Sequence, residues 1–92
     1  MQLIFGRSSI ISIIMNEMNL ELFNERLADL IHEKRLNTVK LANLIGIDNS
    51  TIYKWKNEPS KPSADALVKL AKFFNVSTDY LMGLTDNNVP HY

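Results

Sequence analysis

From Leu20 onward the apolar residues of this chain recur every three or four positions, and stop residues interrupt the pattern at short intervals. Leu20, Phe23, Leu27, Leu30 and Ile31 fall on one helical stripe, while Glu21, Glu25, Asp29 and Glu33 take the other side. The spacing predicts a first helix over about Glu21–Arg35, ending on Lys34 and Arg35, whose charges suit the negative end of the helix dipole. Asn37 caps a short second helix, Thr38–Ile45, with Leu41, Ala42 and Ile45 inward. Gly46 stops it, because glycine accepts the positive φ of the position just past a helix end. Asp48 caps a third helix, about Asn49–Asn57, with Ile52 and Trp55 inward; Pro59 and Pro62 forbid its continuation. Ser63 caps a fourth, about Ala64–Phe74, on a stripe of Leu67, Leu70, Ala71 and Phe74. Asn75 ends it in the left-handed conformation, and Val76 supplies the apolar contact beyond. Ser77 caps a short fifth helix through Met82, closed by Gly83.

An all-α, five-helix domain over residues 18–84 is therefore expected. The 92 residues suit about one small domain and leave little room for a deep catalytic pocket. Three glycines and three prolines are few for an all-β chain. With no cysteine, disulfides, thiolate metal sites and a cysteine nucleophile are excluded. Residues 1–17 differ from the rest. Ile10, Ile11, Ile13 and Ile14 are β-branched and favour a strand. That run is far shorter than the about 20 apolar residues of a membrane span. It reads as an N-terminal extension with three open fates: disorder, packing on the core, or pairing as a β-strand with a second copy through residues 8–15, the fate favoured here, with helix 5 as the alternative dimer contact; Met15 and Met18 offer alternative starts. Residues 85–92 have no period and read as a flexible tail.

Charge is balanced overall, ten basic residues against ten acidic, but unevenly spread. Residues 1–33 hold Arg7 and Arg26 against Glu17, Glu21, Glu25, Asp29 and Glu33. Residues 34–61 hold Lys34, Arg35, Lys40, Lys54, Lys56 and Lys61 against Asp48 and Glu58, a net of +4. Residues 62–92 carry a net of −1. A basic island thus lies between acidic flanks.

That island coincides with the most informative stretch, TVKLANLIGIDNSTIYKWKN, from Thr38 to Asn57. Ala42 is small where two helices must approach, Gly46 turns the chain, and Ile47 and Ile52 anchor the second helix to the first. Small residue, turn glycine and buried aliphatic at this spacing make a helix-turn-helix. One face of the later helix stays outside, carrying Asn49, Ser50, Tyr53, Lys54 and Asn57. Such a face fits a DNA major groove, which admits one helix and displays donor and acceptor edges. Asn pairs with adenine, Lys with guanine, Ser with several edges, and Tyr53 can touch sugar or a thymine methyl. Thr38 and the first amides of its helix sit where a helix N-terminus meets a phosphate. Lys40, Lys56 and Lys61 add charge.

At this point the sequence resembles the XRE family of helix-turn-helix regulators, the group of phage lambda repressor and Cro. The resemblance covers about Leu22–Leu84 and rests on LANLIGIDNSTIYKWKN followed by KPSADALVKLAKFFNVSTDYLMG. It implies a lambda-repressor-like bundle of five helices in which helices 2 and 3 read DNA. By position it implies a phosphate contact at Thr38, base reading at Asn49, Ser50 and Lys54, a place near the groove wall for Thr51, and a backbone contact at Lys61. It further implies a cytoplasmic, sequence-specific transcriptional regulator. The expected action is repression by occupancy, as a homodimer on a two-fold operator of double-stranded DNA.

Simpler readings stand beside these. The apolar stripes are core, and Trp55, in phase with Ile52, packs inward rather than stacking on a base. His32 and His91, without cysteine, make a poor metal set, and Ser50 has no neighbouring His to activate it. No catalytic residue, metal or cofactor is expected, and no membrane association. Two rival functions remain. One is the antitoxin of a toxin–antitoxin pair, which would add a regulatory protein partner. The other is a helical protein-interaction module that no longer binds DNA, which the balanced net charge favours.

Overall fold

A computed structural model describes residues 18–90; the extension over residues 1–17, with its expected strand, and the last two residues lie outside the described part. Five helices follow in order: α1 (Leu20–Glu33), α2 (Thr38–Ile45), α3 (Asn49–Asn57), α4 (Ala64–Phe74) and α5 (Thr78–Leu81). The described residues are all-α, as the periodicity predicts.

Each helix starts on a side-chain cap. The Asn19 carbonyl oxygen accepts from the Leu22 N–H at 3.0 Å, and that of Asn37 from Lys40 at 2.8 Å. Asp48 accepts from the Ser50 N–H at 3.1 Å, Ser63 from Ala66 at 3.1 Å and Ser77 from Tyr80 at 3.0 Å. These bonds satisfy amides that the first helical turn leaves without partners.

Three helices end alike. The chain passes through a left-handed residue, Arg35 (φ 56°), Gly46 (φ 71°) or Asn75 (φ 58°). The next amide then returns to a carbonyl five residues earlier: Leu36 to Ile31, Ile47 to Ala42 and Val76 to Ala71. Gly46 and Asn75 were expected here. Arg35 is the exception: the periodicity carries the first helix through it, but α1 stops at Glu33 with Lys34 as its cap. Only two residues separate α1 from the apolar Leu36 and the Asn37 cap, so Arg35 must reverse the chain there despite its side chain. α5 likewise ends one residue earlier than expected, with Met82 as its cap.

α1 packs on α3 and α5, α2 on α3 and α4, and α4 on α5. The shared core contains Phe23, Leu27, Ile31, Leu41, Ile52, Leu70 and Leu81, each buried. Burial of side chains of this size contributes about 1.5–3 kcal/mol each. Trp55 closes the far end, its ring edge-on to Phe23 at 6.1 Å. Leu20, Leu30, Ile45 and Ile47 are only half-buried, at the margin of the core.

Two features lie outside the stripe pattern. Arg26, on α1, is buried. Its guanidinium donates to the carbonyls of Tyr80 and Thr85 and to the Asp86 carboxylate, and it lies 4.0 Å over the Tyr80 ring. Second, the segment 85–88 bonds back to the helices. Besides the Arg26 bonds, the Ser77 N–H donates to the Asn88 carbonyl at 3.2 Å. Backbone carbonyls hold this segment, and they leave no trace in a hydrophobic pattern.

Candidate nucleic-acid interface

α2 and α3 pack together, burying Ala42 and Ile52, with Gly46 making the turn between them. The Asn24 side-chain amide donates to the Trp55 carbonyl at 2.9 Å and so ties α3 to α1. This contact helps fix the position of α3, and the hydrophobic pattern of the sequence does not reveal it. With Ile52 and Trp55 committed to the core, the remaining positions of α3 face out. Asn49, Ser50, Tyr53, Lys54 and Asn57 are exposed, and Thr51 is half-buried. Tyr53 keeps 60% of its surface exposed, large for an aromatic side chain.

These side chains are not equally available. The Ser50 hydroxyl donates to the Asp48 carboxylate, the same group that caps the helix. That hydroxyl holds the Asp48 carboxyl below its ordinary value; desolvation, second in size, opposes it, and the amides of Ser50 and Thr51 add smaller lowering effects. The Asn57 amide turns back to the Tyr53 carbonyl at 2.8 Å. Among the described residues Asn49 makes no side-chain hydrogen bond and Lys54 pairs with no carboxylate. Ser50 can thus accept from a ligand while its proton is taken, whereas Asn49 and Lys54 present their full donor sets.

The surrounding residues are positioned as follows. Thr38 opens α2 and is half-buried; Lys40, one turn in, is exposed. Lys61 is exposed in the loop between α3 and α4, on the rim of an apolar groove against the ends of α1 and α5. Among the described residues Arg26–Asp86 is the one ion pair, so Lys40, Lys54, Lys56 and Lys61 have no carboxylate partner. The acidic face of α1, with Glu21, Glu25, Asp29 and Glu33, is exposed. His32 is exposed, and among the described residues no group of three His, Cys, Asp or Glu could hold a metal ion. No helix among them is long and apolar enough to cross a membrane.

Known proteins resemble this chain in sequence. The helix-turn-helix family profile matches residues 33–81, which contain both helices of the unit, its turn and the two helices that follow. The chain belongs to the helix-turn-helix family. A transcriptional regulator of Bacillus subtilis strain 168, YobD, is 39% identical over 69 residues, covering 75% of this chain and 62% of its own length. The CTXphi cryptic-phage transcriptional repressor RstR of Vibrio cholerae is 29% identical over 68 residues, 74% of this chain and 61% of its own. The transcriptional activator BcrR of Enterococcus faecalis is 33% identical over 60 residues, 65% of this chain and 29% of its own. The chain therefore spans less than two thirds of each of these relatives. No solved structure matches it.

Proposed function

We propose that this chain is a sequence-specific DNA-binding transcriptional regulator that inserts α3 into the major groove. The observation that carries the reading is the pair Asn49 and Lys54, exposed on one helix and without side-chain partners among the described residues, beside a fully buried Ile52. Evenly solvated polar residues would not need so short a helix to be capped, turned and tied to α1 through Trp55. In this reading Asn49 and Lys54 read base edges, Ser50 accepts from one, and Tyr53 covers a thymine methyl or sugar. Thr51 lies near the groove wall. Thr38, Lys40 and Lys61 contact phosphates and fix the register.

One such domain offers a small interface, so specific affinity calls for two copies on a two-fold site. The chain then acts as a homodimer in the cytoplasm and represses by occupying its operator, with no catalytic step and no cofactor. The relatives' names include both a repressor and an activator; repression is the reading that needs no second contact, since occupancy alone suffices.

Binding to mixed duplex DNA at increasing salt tests this reading. Affinity should fall steeply, by about 0.9 in log–log slope for each phosphate contacted. Absence of salt-dependent binding would favour the protein-interaction module. Salt-dependent DNA binding together with capture of a toxin would favour the antitoxin.

A further inference from the structure

Beside the α3–α4 loop lies an apolar groove of about 440 Å³, lined by Met18, Leu20, Pro62, Ala64, Leu67 and Met82. It takes in the start of α1, the first turn of α4 and the end of α5. Among the described residues its one charged lining residue is Lys61. We propose that this groove is the docking site for the apolar run Ile10–Met15 of the same chain.

Three observations select that occupant. The chain enters the described domain at Met18, which is itself a lining residue and packs partly against the core. Residues 10–15 are thus tethered at the groove's own edge. Met15 is three residues away and Ile10 eight, within reach of about 10 and 26 Å at roughly 3.3 Å per extended residue. A tether this short gives an effective concentration on the order of millimolar, well above that of a second molecule in dilute solution. The chemistry also matches. In an extended segment alternate residues share a face. Ile11, Ile13 and Met15 then form an unbroken apolar edge, while Ser12 interrupts the other. Asn16 and Glu17, between the apolar run and Met18, are polar, and Glu17 has the charge opposite to that of Lys61 on the groove's rim.

The chain has no cysteine, which makes a disulfide test clean. Full-length protein carrying Ile13→Cys and Ala64→Cys is oxidised mildly at low concentration. A second protein carries Ile13→Cys with Leu44→Cys, an exposed position on α2 that does not line the groove. The expected result is an intrachain disulfide formed several-fold more completely with Ala64→Cys than with Leu44→Cys. Equal yields in the two proteins would overturn the proposal. So would a bond between chains through Ala64→Cys, because the occupant would then be a second copy. Independently, Ile11→Asp with Ile13→Asp should lower the melting temperature of the otherwise unmodified chain and have no effect once Ala64→Arg fills the groove. A loss of the same size in both backgrounds would overturn the proposal as well.

Discussion

The two ends of the core treat polar side chains in opposite ways. On the α1–α5 side, Arg26 is surrounded by acceptors: two main-chain carbonyls, one carboxylate and the face of Tyr80. On the outer face of α3, the side chains of Asn49 and Lys54 have no partner among the described residues, though the side chains around them are bonded. Burial explains the first: an unsatisfied buried charge is costly, so a guanidinium persists there only if its donors are used. Water can satisfy the second group at no cost to the fold, so nothing in folding requires those residue types. Saturated polar groups therefore mark what holds this molecule together, and open ones mark what it offers to a ligand.

Arg26→Ala breaks the comparison most severely. It strips donors from two carbonyls and removes the cation from the Tyr80 ring. Stability should fall by about 2–4 kcal/mol, measured by urea unfolding. DNA affinity of the protein that remains folded should not change; a selective loss of affinity would place Arg26 in the interface.

Gly83→Ala probes the same side. Gly83 has a φ of +78°, and a Cβ there would lie 2.8 Å from the Cβ of Asn19, the cap of α1. Asn19 cannot withdraw easily, because its N–H donates to the Met82 carbonyl at 2.7 Å. A loss of about 1–3 kcal/mol in stability is expected. By contrast, a Cβ at Gly46 would meet nothing within 4 Å, so the constraint there is the backbone angle alone.

Asn49→Ala and Lys54→Ala probe the open side. Each should weaken specific DNA binding by about 1–3 kcal/mol and leave the unfolding midpoint almost unmoved. A clear loss of stability in either variant would show a structural role.

Ser50→Ala has the smallest expected effect and sharpens the boundary between the two classes. The Ser50 hydroxyl is the leading cause of the lowered Asp48 pKa, so its removal should move that pKa up toward the ordinary carboxylate value. With the folded-state pKa depressed, the Asp48 cap contributes fully above the ordinary value and is lost as pH falls through the lowered one. In Ser50→Ala that contribution should be smaller and its loss complete at a higher pH. Carboxyl titration by NMR reads the shift directly; an unchanged Asp48 would mean that the hydroxyl bond does not persist in solution.

Local rules made much of the fold legible. Asn37, Asp48, Ser63 and Ser77 act as caps because their short side chains reach amides two or three residues on, and Asn75 and Gly46 accept the left-handed turn. The exposed set on α3 followed from phase alone, once Ile52 and Trp55 were placed inward. What the sequence hid depends on long separations or on main-chain atoms. Arg26 reads as solvated surface because its partners lie 54 to 60 residues away, and two of the three are carbonyls that every residue carries. The same holds for Asn24 and the Trp55 carbonyl. Arg35 is a different case: a geometric need between α1 and the Asn37 cap prevails over the low preference of arginine for positive φ. That the Ser50 proton is taken by Asp48 was equally hidden, since serine reads as a free donor wherever it is exposed.

The central claim is that the unpartnered side chains of α3 read base edges. Selection of bound sequences from a random duplex pool, run in parallel with wild-type protein and with Asn49→Ala and Lys54→Ala, tests it most directly. The account predicts that wild type enriches one two-fold related sequence, and that each variant relaxes the preference at a base pair of its own in each half-site. Identical enriched sequences from all three proteins, or no enriched sequence from wild type, would contradict it.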